Sequence, residues 1–357
     1  MTILWLNLIV VFSFALISRY FAVKAAVGPT FLQPNKIMAA AAALTLILVS
    51  GLRNNIGDTF FYMHAYTVDR FDWQSVIQKK DMGFGILQLL LKQISNDPQI
   101  LLMTTAFVTN MLIAIVMYKY SRFYELSIYV YITSGAFIVS MNGLRQFLAA
   151  AIVFAATKAL FDGKMKTYMA VVLFAAVFHQ SALVMLPLYF IVRRKAWTGT
   201  TFFLLSIAIM VVVGFNQFSD LLFQAIQGTQ YAHYQNFQEG GASIIRVFIY
   251  AVPLLICFLG REKLRSLFPK VDILVNLSII GIVLMIISTQ NWIFARMTIY
   301  FNLYQLILIG WIVKIFREKD QKLVYFAILI FYLLFFYFES VVALDIRYTS
   351  DYLKWPS

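Results

Sequence analysis

Residues 126–160 read LSIYVYITSGAFIVSMNGLRQFLAAAIVFAATKAL, two apolar runs separated by Met141-Asn142-Gly143-Leu144-Arg145-Gln146. Each run of about fourteen residues would be about 21 Å long as a helix, short of a hydrocarbon core of about 30 Å. Two short helices meeting at a polar junction inside a bilayer leave a cavity. A helix starting near Arg145 would add backbone N–H groups and a positive dipole end. Asn142, Arg145 and Gln146 are therefore candidate ligands for an anion. The alternative is an ordinary outer loop with Arg145 snorkelling to lipid headgroups.

The surroundings have the same character. The 357 residues are 62% apolar, 17% aromatic and 13% charged, the composition of a multispanning membrane protein. Apolar segments recur at 2–18, 36–52, 100–117, 201–216, 245–259, 273–289, 297–313 and 323–343. They predict an all-α polytopic protein of about 10 to 12 transmembrane or half-membrane helices. The polar stretches 53–99 and 216–244 are too short for a second domain of ordinary size, so residues 1–357 read as one membrane domain with two large outer loops. Within the first loop, Phe84, Leu87, Leu91 and Ile94 fall at helical spacing, and 83–94 reads as an amphipathic helix lying on the membrane. The second loop, with Asp220, Glu239 and Gly240-Gly241, has the make-up of a lid.

Charge sets the orientation. No Lys or Arg precedes the first apolar run, whereas Arg19 and Lys24 follow it, which predicts a retained helix with its C-terminal end in the cytoplasm. Alternating from there puts nineteen of the 29 basic residues on the cytoplasmic side, and both the N-terminus and the C-terminus outside. The alternation holds only if 168–192 enters and leaves on one side, as a re-entrant hairpin broken at Val177-Phe178-His179-Gln180-Ser181. A single tilted helix is the other reading.

On this topology Arg53, Arg145, Arg246 and Arg296 all stand at outward-facing ends of apolar segments. An arginine at the bilayer centre costs from about 3 to well over 10 kcal/mol, so four on the disfavoured side ask for an anion. A lipid-linked phosphate suits them, because the planar guanidinium binds phosphate bidentately and keeps its charge. Asp58 stands five residues past Arg53, within its reach in a compact turn, and has the chemistry of a base toward a sugar hydroxyl. The alternative is a loop ion pair. His179, deep in an apolar run, is a second candidate base, with a satisfied structural histidine as the alternative. Tyr62, Trp292 and Tyr300 are candidates to stack on sugar rings, although interfacial aromatic belts predict such residues too.

Other chemistry finds little footing. Cys257 is the only cysteine and the three histidines show no ligand spacing, so no metal or cofactor is predicted. The net charge of +13 sits in short cytoplasmic loops, which argues against a nucleic-acid partner. There is no P-loop or dinucleotide fingerprint.

Several spaced elements follow one another along the chain. They are Gly51-Leu52-Arg53 with Gly57-Asp58 and Tyr62, Asp81-x-Gly83-Phe84, Asn142-x-x-Arg145-Gln146-x-x-Ala149, Phe178-His179-x-Ser181-Ala182 and Arg296-x-x-x-Tyr300. In this order the sequence resembles the EpsG-type membrane proteins of bacterial exopolysaccharide and capsule clusters, related to Wzy polysaccharide polymerases. The resemblance implies a GT-C-like membrane glycosyltransferase with broken helices near 140–146 and 178–181. It implies polymerisation of oligosaccharide repeat units carried on undecaprenyl pyrophosphate at the outer face of the bacterial cytoplasmic membrane. A chain-length regulator and a flippase of the same pathway are the partners it suggests. A flippase or transporter of the lipid-linked glycan, and a membrane O-acyltransferase acting on polysaccharide, are the competing functions.

Overall fold

Asn35 shows how the apolar runs begin: its side chain accepts the N–H groups of Ile37 and Met38, and the alanine- and leucine-rich Lys36–Gly51 helix follows. The computed structural model describes residues 1–24, 32–69, 72–78, 80–214, 224 and 240–353. Among these, helices dominate, and the only strands are the antiparallel two-residue pair Val23–Lys24 and Leu32–Gln33. Thr2–Tyr20, Gln99–Tyr120, Leu144–Asp162 and Glu318–Ala343 are long and apolar enough to cross a bilayer. Ile244–Leu259 and Arg261–Leu267, bent by 82° at Gly260, would make a fifth span if taken together. Shorter apolar helices fill the spaces between, among them Gly199–Val213, Val271–Ile287 and Ile299–Ile312. The protein is an all-α, polytopic membrane protein. Of the expected outer loop 216–244, residues 216–239 lie outside the described residues apart from Gln224, and the lid reading falls there.

Two helices form the centre. Leu144–Ala155 packs against Gln99–Tyr120, Met165–Phe178 and Ile299–Ile312, and nearly all of its residues are buried. Ala149, Ala150 and Ala151 let those neighbours approach closely. Every residue of Ile299–Ile312 except Asn302 is buried. Between lipid-bathed helices apolar burial supplies little drive, so packing and interhelical hydrogen bonds carry more of it, each bond worth about 0.6 kcal/mol on average. Ser127 Oγ donates to Leu306 O at 2.7 Å, Tyr129 to Leu329 O at 2.8 Å, Trp311 Nε1 to Tyr120 O at 2.8 Å and Tyr131 to Asn110 Oδ1 at 3.1 Å.

The 126–160 stretch breaks at its polar junction, and again earlier. Tyr124–Thr133 ends at Gly135, whose φ of 81° few other residues adopt, before Ala136–Asn142 and Leu144–Ala155. The 168–192 segment is a hairpin. Met165–Phe178 stops at His179, a short 3₁₀ turn Gln180–Val184 follows, and Met185–Val192 returns. Tyr168 and Tyr189 meet with ring centroids 5.4 Å apart, and Arg193 donates to Leu160 O, so the two ends lie together. A continuous helix would separate Tyr168 from Tyr189 by about 31 Å.

The bundle has a basic end. There Arg265 Nη2 donates to Ala196 O at 3.1 Å, Lys263 Nζ to Phe316 O at 3.1 Å, Lys270 Nζ lies 3.4 Å from Asp162 and Arg19 Nη1 2.5 Å from the buried Glu125. At the opposite end the C-terminal segment straps the first large loop: the Asn54 N–H donates to Thr349 O, and the Tyr348 hydroxyl to Val49 O. Met1 lies at this end as well, because Trp5 packs edge-on against Phe336, 5.0 Å away, near the far end of Glu318–Tyr337.

Candidate functional site

The break at Gly143 and the loop after Lys36–Gly51 are sewn together. The Asp58 N–H donates to Asn142 Oδ1 at 2.9 Å, and Arg53 Nη2 donates to Met141 O at 2.6 Å. Gly57 makes the contact possible: its φ is +54°, and a Cβ there would stand 2.3 Å from Asn142 Cγ. The loop that ends at Asp58 is thereby laid against the start of the Leu144–Ala155 helix. That helix has no side-chain N-cap, and Arg145 projects from its first turn.

Arg145 Nη1 pairs with Asp81 Oδ2 at 2.9 Å, and its guanidinium lies 5.9 Å from the Tyr62 ring centroid and 6.0 Å from that of Phe84. Its Nε is buried and makes no hydrogen bond, while the side chain as a whole is 39% exposed. Asp81 is 6% exposed and uses its other oxygen to accept the Gln180 N–H at 3.2 Å, capturing a backbone donor left by the break after Phe178. Asp81 stands in the turn before Met82–Ile94, outside the spans. Burial pushes its carboxyl above the ordinary aspartate value, opposed by Arg145, the Gln180 N–H and Lys80. The amphipathic Met82–Ile94 helix is docked through its first turns, where Gly83 abuts Val177 and a Cβ would come within 2.9 Å of the Val177 carbonyl oxygen, while Leu90 and Ile94 stay exposed.

Arg296 arrives from the Ile293–Met297 helix. Its Nη2 lies 3.9 Å from Asp58 Oδ2 and its guanidinium 5.1 Å from the Trp292 ring centroid. His179 is close enough to feel the charge of both Arg145 and Arg296. Its Nδ1 is 2.6 Å from Ser181 Oγ, which is 2.9 Å from the Tyr300 hydroxyl. Two guanidiniums, a partly exposed carboxylate and two half-buried aromatic rings thus converge on one crevice, from segments nearly 240 residues apart in the chain, with the imidazole of His179 close by but buried at 4% exposure. Among the described residues no group of three or more His, Cys, Asp or Glu side chains is placed to hold a metal ion. Guanidiniums are the cationic groups the crevice presents.

Several expected ligands are placed otherwise. Arg53 is 1% exposed and turned inward, donating to Thr59 Oγ1 at 3.0 Å, to Ser50 O and to Met141 O. It cannot touch a ligand and is not the partner of Asp58; Arg296 is. Gln146 is buried, its amide donating to Arg296 O at 2.8 Å, so it ties two site helices together instead of facing the crevice. Arg246 forms its own ion pair with Glu339, close to Tyr250. Tyr300 is 2% exposed and has no ring face open to a sugar; its role is the hydroxyl contact with Ser181. Tyr62 and Trp292 are half-buried, each with its ring beside one of the two guanidiniums. Residue type alone marks neither Asp81 nor Ser181 as a site residue. The available signal for both was their position in the spaced motifs, Asp81 two residues before Gly83 and Ser181 two after His179.

The EpsG family model matches residues 36–352, nearly the whole chain and every residue of the crevice. No curated protein and no solved structure matches it.

Proposed function

Because the chain belongs to the EpsG family, membrane proteins of polysaccharide biosynthesis, we propose that it is the polymerase of its pathway, joining oligosaccharide repeat units carried on undecaprenyl pyrophosphate. The observation that carries this reading is the convergence of Arg145 and Arg296 beside Asp58 and His179. In the reaction an acceptor hydroxyl oxygen forms a bond to the anomeric carbon of the donor. The bond from that carbon to the pyrophosphate oxygen breaks, and its electron pair leaves on the lipid pyrophosphate. The developing negative charge is met by Arg145 and Arg296, fixed donors of the kind whose removal usually costs 10²–10³ in rate. The hydroxyl proton goes to Asp58, which is 39% exposed, whereas His179, the other candidate base, is buried.

The other parts of the crevice assist. Asp81 and the Gln180 backbone hold Arg145 in place, Asn142 fixes the Asp58 loop, and Tyr62 and Trp292 offer ring faces to sugars. Arg53 and Gln146 support this set from behind. The arginine end faces the outside of the bacterial cytoplasmic membrane, the side the insertion bias leaves poor in positive charge. Both chain ends lie with it. A flippase delivering the lipid-linked units and a regulator of chain length complete the pathway.

The test is glycan length in membranes supplied with undecaprenyl-pyrophosphate repeat units. Ladders in the parent that vanish in Arg145→Ala and Asp58→Asn at matched protein level are the expected result. Purified protein that moves labelled units across vesicles without lengthening them would make the protein a transporter instead.

A further inference from the structure

Arg145 does not stand alone on its helix. Leu148, Ile152, Ala155 and Ala159 follow it at three, seven, ten and fourteen residues, a single stripe of the Leu144–Asp162 helix. That stripe is one wall of a cavity of about 650 Å³. Val108 and Leu112 form the second wall, and Thr167, Val171, Phe174 and Phe178, again at helical spacing, the third. The cavity reaches its upper limit at Leu87 and Phe178. Phe178 adjoins His179, and Leu87 is three residues from Phe84, the ring beneath the Arg145 guanidinium. Its lower limit lies at Lys158 and Lys164, at the basic end. Ala155, Thr167 and Phe174 are exposed along it, so it opens sideways from the bundle.

The geometry points to this cavity as the seat of the polyprenyl tail of the lipid carrier, with its pyrophosphate at Arg145 and Arg296. The inference rests on the reading of the crevice as a lipid-pyrophosphate site. One amphiphile then satisfies both features, an anionic head on the guanidiniums and an apolar chain along the stripe that begins beneath them. Length separates this occupant from a bulk phospholipid. Along the facing helix the lining runs from Phe178 down to Lys164, about 21 Å, whereas one leaflet of a core of about 30 Å offers an acyl chain about 15 Å of depth. A chain following the cavity passes the bilayer midplane, as a long prenyl chain does and a leaflet's acyl chain does not. Alanine and threonine at 104, 105, 155, 156, 159 and 167 keep the cleft wide enough for methyl branches.

The test uses the full chain in nanodiscs and a prenyl pyrophosphate bearing a photoreactive group at its tail end. Irradiation is expected to label peptides containing 104–112, 148–159 or 167–178. Undecaprenyl phosphate should compete and phosphatidylglycerol should not. Ala155→Trp, at an exposed position of the wall, should lower labelling at least tenfold, and Thr167→Trp does the same from the facing helix. Labels mapping elsewhere in the parent, or equal competition by phosphatidylglycerol, would overturn the assignment without recourse to any variant. Labelling of the cavity in a protein that never lengthens glycan would sink the polymerase reading and leave the tail site standing. Lengthening with labels outside the cavity would do the reverse.

Discussion

Arg53 and Arg145 flank the same seam between the 53–59 loop and the Gly143 break, yet they are built in opposite ways. Arg53 is 1% exposed, faces no carboxylate and spends its donors on Thr59, Ser50 and Met141. Arg145 is 39% exposed, faces the buried Asp81 and is flanked by Tyr62 and Phe84. The first is a knot that holds two segments together, and the second is a cation held ready beside an opening. A guanidinium with all three nitrogens bonded inside the protein contributes stability, whereas one with an exposed face can take a ligand.

The largest expected effect comes from breaking the knot. Arg53→Ala strands Met141 O, Ser50 O and Thr59 without their charged donor and opens a cavity, at a cost on the order of 3 kcal/mol or more. Thermal unfolding in detergent should show it as a large drop in midpoint. Arg53→Lys should rescue little, because one ammonium cannot span the three acceptors that the fork reaches. An Arg53→Ala protein as stable as the parent but inactive would put Arg53 back in the catalytic crevice.

Arg145→Ala should behave in the opposite sense. Glycan lengthening should fall by about 10²–10³, as for loss of one preorganised donor to a developing anion. The stability loss should stay below that of Arg53→Ala, at about 1 to 2 kcal/mol, because Arg145 is 39% exposed and the buried Asp81 keeps the Gln180 N–H when the guanidinium is removed. Arg145→Lys keeps the charge and loses the fork, and an intermediate rate is expected. If Arg145→Ala lost stability as heavily as Arg53→Ala, the contrast between knot and crevice would disappear.

Gly57→Ala tests the seam from the other strand. Its φ of +54° and the 2.3 Å approach of a built Cβ to Asn142 Cγ predict about 2 kcal/mol of strain, part of it relieved by pushing the loop off Asn142. Asp58 would move away from Arg296 with it. Activity should therefore drop along with stability, a pairing that neither arginine variant gives.

Hydropathy and charge carried much of this architecture. The polar interruptions at 141–146 and 178–181 became helix breaks, and 83–94 became the Met82–Ile94 helix. Positive charge on both sides of 168–192 marked a hairpin, and Tyr168 against Tyr189 closes it. The direction in which each segment-end arginine turns was not legible. Arg53 finds its acceptor at Met141 and Arg246 its carboxylate at Glu339, 88 and 93 residues away. No local period encodes partners so distant. The same holds for Tyr300, where an aromatic residue at a helix start reads alike whether its ring faces a sugar or its hydroxyl faces Ser181.

The smallest expected effect sharpens what holds Arg145. Asp81 receives both Arg145 and the Gln180 N–H, so it links the cation to the hairpin that carries His179. Asparagine in its place has one oxygen to accept from either donor but no charge, and Asp81→Asn should slow lengthening only several-fold at neutral pH. The pH dependence is more telling. Because burial raises its carboxyl, Asp81 takes up a proton at a higher pH than an exposed aspartate does. On acidification Arg145 then loses its charged partner while solvent-facing carboxylates are still ionised. The parent should show an acid limb in its rate that begins above the ordinary aspartate range. In Asp81→Asn that limb should be absent, leaving a lower rate that is flat across the same interval. An unchanged limb in the variant would mean that another group sets it, and that Asp81 orients Arg145 through hydrogen bonds rather than through charge.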